Sequence, residues 1–198
     1  MLVRVAVAAA NDLAVVAGVE AAARGGNSVD AAIAAAVTTM VTEPGMVSLS
    51  AGGYITLGSR GEEPLTIDGG VEMPGRDRPR AWFGGGVQEI RSGYGGGVNI
   101  TIGHGSVATP GALAALALLH ERSGRAPWPL LIQPALAAVR AGFPLGSSAR
   151  QYLEYVHESA FGWQPDSHAA LHDPAGRLLG PVDLVVTSAA NVGRWGRR

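Results

Sequence analysis

The sequence predicts an α+β fold. Three observations carry that prediction: two Ala-rich segments each opened by an Asn cap, a change to strand-like alternation after Pro44, and a return to Ala/Leu-rich helical stretches beyond Pro110. A chain of 198 residues, 47% hydrophobic and 16% charged, has the composition of a folded domain and not of a disordered one. At that length it can bury roughly 70% of the surface its unfolded form exposes. Fifteen basic and sixteen acidic residues leave a formal charge of -1, and no basic tract is present to follow a phosphate backbone. No nucleic acid partner is expected.

Taken in order, residues 1–10 are apolar apart from Arg4 and Ala-rich. The run is too short for a cleaved leader ahead of the helix start at Asn11 and Asp12, and it reads as a strand. Asn11 or Asp12 caps a first helix with Glu20 and Arg24 on its solvent side, and Gly25-Gly26 supplies the left-handed stop. Asn27-Ser28 caps a second helix, with Asp30 in the first turn where it complements the positive end of the dipole. That helix is apolar almost all round, which predicts cover on more than one side, and Glu43-Pro44-Gly45 closes it.

Tyr54-Ile55-Thr56-Leu57 and Pro64-Leu65-Thr66-Ile67-Asp68, joined by the polar link Ser59-Arg60-Gly61-Glu62-Glu63, read as a hairpin. Residues 69–97, rich in Gly, Pro and Arg, read as a long ordered loop. A further strand pair is predicted at 98–102 and 105–108. Thr109-Pro110-Gly111 predicts an N-cap with Pro at the first helical position, opening a helix that stops at Ser123-Gly124. Residues 127–132 form a short helical turn, Pro134 restarts a helix that ends at Gly142, and Ser147 or Ser148 caps another carrying Gln151 to Glu158. The Asp173-Pro174-Ala175-Gly176 turn then separates two weak extended segments.

Cys is absent, which excludes disulfides and thiolate metal sites. No apolar run approaches the ~20 residues that span a bilayer, and the chain is expected to be cytoplasmic with no membrane partner. Gly84-Gly85-Gly86 and Gly95-Gly96-Gly97 neither follow a strand nor open a helix, so they read as tight turns and not as phosphate cradles. His104 and Ser106 would share a face of an extended segment, yet no G-x-S-x-G elbow occurs. His120, His157, His168 and His172 form no H-E-x-x-H, and no metal is expected. More notable are Asp68, Glu72, Arg76, Arg78 and Arg80, clustered just after a predicted strand. A planar guanidinium holds a carboxylate by paired hydrogen bonds, although a solvated polar loop has the same composition.

Four pieces in one order resemble the N-terminal, large-subunit part of the γ-glutamyltransferase family. They are Ala8-Ala9-Ala10-Asn11 with Gly25-Gly26-Asn27-Ser28-Val29-Asp30; Glu43-Pro44 with Gly52-Gly53-Tyr54; Ile67-Asp68 leading to Pro74; and Ser106-Val107-Ala108-Thr109-Pro110-Gly111 followed by His120-Glu121-Arg122, Gly124-Arg125-Ala126-Pro127-Trp128. Together they cover about residues 6–145. The resemblance implies the N-terminal part of an αββα sandwich of the N-terminal-nucleophile hydrolase group. It also implies a reaction without a cofactor, in which a self-cleaved precursor exposes a threonine that takes the acyl group of a γ-glutamyl amide and passes it to water or an acceptor amine.

Two departures stand out. The family loop D-G-R-E-T-A-P, whose Arg holds the substrate's α-carboxylate, is here Asp68-Gly69-Gly70-Val71-Glu72-Met73-Pro74, so Gly70 takes the position of that Arg. Arg76 is the nearest candidate to replace it as a substrate-binding residue. The family nucleophile, usually in Thr-Thr-His, has no counterpart, because Thr38-Thr39 lies in a predicted helix and precedes Met40. No catalytic residue is therefore assigned. Residues 1–180 are expected to be a partial large-subunit domain and 181–198 an atypical tail, as in a truncated or frame-shifted coding sequence. Implied partners are a γ-glutamyl or related amide, the missing C-terminal catalytic half, and copies of the chain in an oligomer. The alternative is a noncatalytic binding or assembly half that pairs with a separate catalytic chain.

Overall fold

A computed structural model describes residues 4–181 and 183–185, so most of the 181–198 tail lies outside the described residues. The chain forms two compact units, Met1–Arg76 with Ala108–Ala137 and Asp77–Val107 with Ala138–Arg198. Its mix of helices and antiparallel strand pairs is the expected α+β class.

In the first unit, α1 (Asp12–Ala23) opens where Asn11 accepts a hydrogen bond from the Ala14 N–H at 3.0 Å. The next helix, α2 (Ser28–Thr42), opens with a reciprocal capping box between Asn27 and Asp30. The two helices meet along small residues: a Cβ added at Gly18 would lie 2.9 Å from the Ala31 carbonyl oxygen and 2.9 Å from Val7 Cγ1. Both flanks of α2 are covered, with Ile33, Ala34, Val37 and Thr38 all buried. Asn11 ties the far end of α2 back to the start of α1, donating to Thr42 Oγ1 at 2.9 Å and to the buried Glu43 carboxylate at 2.6 Å.

The expected N-terminal strand is not formed among the described residues. Residues 4–9 are unpaired in any strand ladder and border, with α2, an open apolar cavity of about 530 Å³. Extended conformation comes cheaply to such a segment, but a strand needs a neighbouring ladder, which the sequence alone does not supply.

The predicted hairpin is present as β1 (Gly53–Leu57) antiparallel to β2 (Leu65–Gly69), with Ile55 opposite Ile67 and Tyr54 opposite Asp68. Alternation sends Ile55, Leu57, Leu65 and Ile67 to one face, where they join Ala115, Leu116 and Leu119 of α3 (Ala112–Ser123) and Ile33 and Val37 of α2. This helix starts later than the Thr-Pro-Gly signal predicts: Gly111 is its N-cap, because the Thr109 backbone is already paired with Glu72, exchanging N–H···O bonds of 2.8 and 3.0 Å. The predicted break at Pro134 is also corrected, since α4 (Trp128–Ala141) runs through it. Proline costs a helix one hydrogen bond and a steric clash, but Leu131 and Ala135 are buried in the core on either side of it and hold the helix together.

In the second unit the predicted loop contains a strand, β3 (Gln88–Ser92), antiparallel to β4 (Val98–Ile102) with Ile90 opposite Ile100. The turn between them uses positive φ at Gly95, Gly96 and Gly97. The expected partner at 105–108 is not a strand, for His104–Ser106 is a 3₁₀ turn. A short ladder joins β5 (Phe143–Pro144) to β6 (Leu184–Val185). Between these lie α5 (Ser147–Val156), a wider π turn over His157–Phe161, and α6 (Pro165–Leu171). Gly146 and not a Ser is the cap residue of α5, and the segment before the Asp173 turn is helical where an extended one was predicted. Phe143, Leu145, Leu153, Val156, Leu171 and Val185 form this unit's own core.

Candidate functional site

The site is built where β2 runs out against the start of α3. Two glycines permit that approach: a Cβ at Gly111 would lie 2.4 Å from the Gly70 carbonyl oxygen, and one at Gly69 would lie 2.6 Å from Ala115 Cβ. Lying so close, the 68–72 loop and α3 border an open cavity of about 410 Å³, lined by Tyr54, Asp68, Gly70, Val71, Glu72, Ala115 and Leu118 among others. The Glu72–Thr109 backbone pair fixes the loop's outer end. At its inner end Asp68 Oδ1 accepts the Gly70 N–H at 2.8 Å.

Gly70 is a different kind of glycine. It is not among those with positive φ, and a Cβ there would meet only side-chain tips, Asp68 Oδ1 at 3.0 Å and Tyr54 Oη at 3.4 Å. Neither backbone conformation nor space therefore demands glycine at this position. Arg76 forms an ion pair with Glu72, both side chains well exposed, and it is not among the residues lining the cavity. Arg78 places its guanidinium 5.5 Å from the centre of the Trp82 ring, and Arg80 begins the 3₁₀ turn Arg80–Trp82.

The Ser-His possibility is not supported by the geometry. Ser106 Oγ donates to the Gly103 carbonyl at 2.8 Å, while the His104 ring packs edge-on against Trp163 at 5.8 Å. Thr38 is buried within α2, and Thr39 Oγ1 donates to the Ala35 carbonyl at 2.9 Å, so this pair is helix structure.

Sequence reasoning missed two clusters. Asp30 is fully buried and does more than favour a helix dipole: besides the Asn27 N–H at 2.8 Å, it accepts the Arg125 and Ala126 N–H groups at 3.0 and 3.2 Å. His120 donates from Nε2 to the Ala126 carbonyl at 2.7 Å and packs edge-on against Trp128. Asp30, His120 and Trp128 thus brace the start of α2 against the α3–α4 connection. The signal available was Asp30 three residues after Asn27, the spacing of a capping box. In the second unit His157 Nδ1 lies 2.8 Å from His172 Nε2, and His168 stacks flat on His172 with centroids 3.8 Å apart. Burial, with His172 next, holds the His157 pKa below its ordinary value. No group of three or more His, Cys, Asp or Glu suited to a metal occurs among the described residues.

Solved structures first define the class. The fold matches Bacillus anthracis transpeptidase CapD with a TM-score of 0.72, 21% identity, and coverage of 96% of this chain and 56% of that one. It matches gamma-glutamyltranspeptidase from Pseudomonas nitroreducens complexed with L-DON equally well, at 0.72 and 22% identity, covering 98% and 54%. These neighbours are N-terminal-nucleophile hydrolases, and the chain carries part of their fold. The gamma-glutamyltranspeptidase profile matches residues 14–190, and the chain belongs to that family. Relatives include scoloptoxin SSD14 of Scolopendra dehaani, 30% identical over 81% of this chain and 26% of its own length, and a glutathione hydrolase proenzyme of Pseudomonas aeruginosa, 30% identical over 66% and 22%. The chain therefore spans about a quarter of the length of these relatives and about half of the solved chains. Among the described residues no helix is long and apolar enough to cross a membrane.

Proposed function

We propose that this chain supplies the helices, the hairpins and one wall of the donor pocket of a γ-glutamyltransferase or γ-glutamyl hydrolase, and that the nucleophile comes from a separate catalytic half. The observation that carries this reading is the 410 Å³ cavity against the 68–72 loop, the loop whose sequence resembles the family's substrate-binding stretch. Residues 1–180 make up the contributed domain and 181–198 its tail, of which 181–190 still fall within the family match. The family chemistry needs an exposed N-terminal hydroxyl beside its own amine, and the threonines here at 38 and 39 are committed to α2. The chain alone is inert in this scheme. A noncatalytic assembly role is the same half-fold serving a catalytic chain permanently. Arg76, engaged by Glu72 at the rim, is the candidate carboxylate anchor, and the compartment is the cytoplasm, which cell fractionation would check.

The test is co-expression with a nucleophile-bearing half of a family member. Turnover of a γ-glutamyl anilide is expected from the pair and not from the pure chain. Turnover by the pure chain that disappears in Ser106→Ala would overturn the proposal, as would a complemented pair whose activity is indifferent to every substitution in the 68–72 loop.

A further inference from the structure

We propose that residues 4–9 are the docking edge for a second copy of this chain, the two segments pairing antiparallel about a two-fold axis at Ala6. Burial along this stretch alternates as it does in a strand, with Val5 and Val7 half-buried and Arg4, Ala6 and Ala8 exposed. Val7 is seated against α1 at Gly18, where an added Cβ would lie 2.9 Å from Val7 Cγ1. The side chains have their places, but the backbone has no partner: among the described residues, none of the N–H or C=O groups of residues 4–9 makes a hydrogen bond. An alternating segment with an empty hydrogen-bonding edge is a template for another strand. Beside it, the open cavity of about 530 Å³ is lined by a stripe of α2 in which Ala32 is exposed and Ala36, Thr39 and Met40 are half-exposed. A strand added there lies about 4.8 Å to the side and covers that stripe.

Charge and symmetry select a copy as the occupant. Among the described residues that line the cavity, Arg4 alone is charged. A foreign partner finds no pattern of charge to recognise, whereas a copy brings a strand as neutral as the one it joins. Antiparallel pairing centred on Ala6 sets Val5 against the copy's Val7 on the inner face and Arg4 against its Ala8 on the outer face. The two Arg4 residues then lie about 14 Å apart along the strands. Parallel pairing would set these like charges side by side, which is destabilising. The two-fold also closes the contact, because each copy's edge is covered by the other and no third chain adds there.

The chain has no Cys, so single cysteines report on the pairing. Ala6 and Ala8 are both exposed on the same side of the segment, but in this register residue 6 lies about 5 Å from its copy, within disulfide reach, and residue 8 does not. Under mild oxidation, Ala6→Cys is expected to give a linked dimer on non-reducing gels at least about tenfold faster than Ala8→Cys. Charge at residue 8 reads the register independently: added to Ala6→Cys, Ala8→Glu faces the copy's Arg4 and is expected to speed the link, and Ala8→Arg to slow it, with salt removing the difference. Equal rates for the two Cys variants, no link in Ala6→Cys, or a rate indifferent to the charge at residue 8 overturns the inference. Should Ala6→Cys stay unlinked in the pure chain and become shielded from alkylation on co-expression with a nucleophile-bearing half, the edge belongs to that half, which overturns it equally.

Discussion

At the scale of single residues, the chain separates glycines and acids that look alike in sequence. Gly69, Gly70 and Gly111 all flank the cavity, yet only Gly69 and Gly111 are held to zero side chain by their surroundings. Gly111→Ala would drive a Cβ into two backbone carbonyls and is expected to cost about 2 kcal/mol or more, because backbone cannot step aside as a side-chain tip can. Gly70→Arg is expected to leave the urea midpoint nearly unchanged. The same denaturation series checks Asp30. Its carboxylate accepts backbone N–H groups from its own capping box and from a distant stretch of chain, and Asp30→Ala would leave them without an acceptor, for an expected loss of about 3 kcal/mol or more. The capping half of this role was legible, since Asn27 and Asp30 stand at capping-box spacing. The other half depends on residues 125 and 126 folding back, a contact 95 positions away along the chain that no local pattern encodes.

At the scale of elements, helices with cap signals and the alternating β1–β2 hairpin were readable, and β3 was not. Asn11, Asn27 and Gly25-Gly26 mark α1 and α2 because caps act within a few residues. By contrast β3 reads Gln-Glu-Ile-Arg-Ser, a single apolar residue among polar ones, and becomes a strand because β4 is there to pair with it. The π turn after α5 was equally silent, and it sets His157 against His172. That contact predicts a pH response. The folded chain holds His157 neutral below the ordinary histidine pKa of about 6.5, while the unfolded chain takes up a proton there. More protons bound by the unfolded state means that stability rises with pH across the window. The second unit should therefore lose stability as pH falls below about 6.5. Chemical denaturation at pH 5.5 and 7.5, followed by Trp163 fluorescence, measures the loss. It should shrink in His157→Gln, and an equal midpoint for wild type at both pH values would refute it.

For the whole molecule, large apolar side chains stand exposed among the described residues. Tyr54, Met73, Trp82 and Val107 are each more than 60% exposed, and two-stranded ladders leave their outer edges unsatisfied by other strands. The isolated chain is expected to self-associate, seen as species heavier than monomer in sedimentation velocity and as strong binding of a hydrophobic dye. A single monomeric boundary together with one sharp unfolding transition would argue against it. The α+β class and the order of helices and hairpin were legible because composition and caps report on each segment in turn. The split into two units was not, because it depends on the chain leaving the first unit at 77–107 and returning to it, and sequence neighbours do not reveal where a chain returns.

The Glu72–Thr109 backbone pair has a consequence of its own. It ties off residues 73–108 at the neck, so that everything between is a lariat whose closure is already made by hydrogen bonds and by the Gly69–Gly111 contact. A protease that nicks the exposed stretch around residues 75–86 would cut the noose without opening the knot. The two pieces should co-elute under native conditions and separate only in denaturant, and co-expressing the chain as fragments divided at that stretch should reconstitute the same cavity.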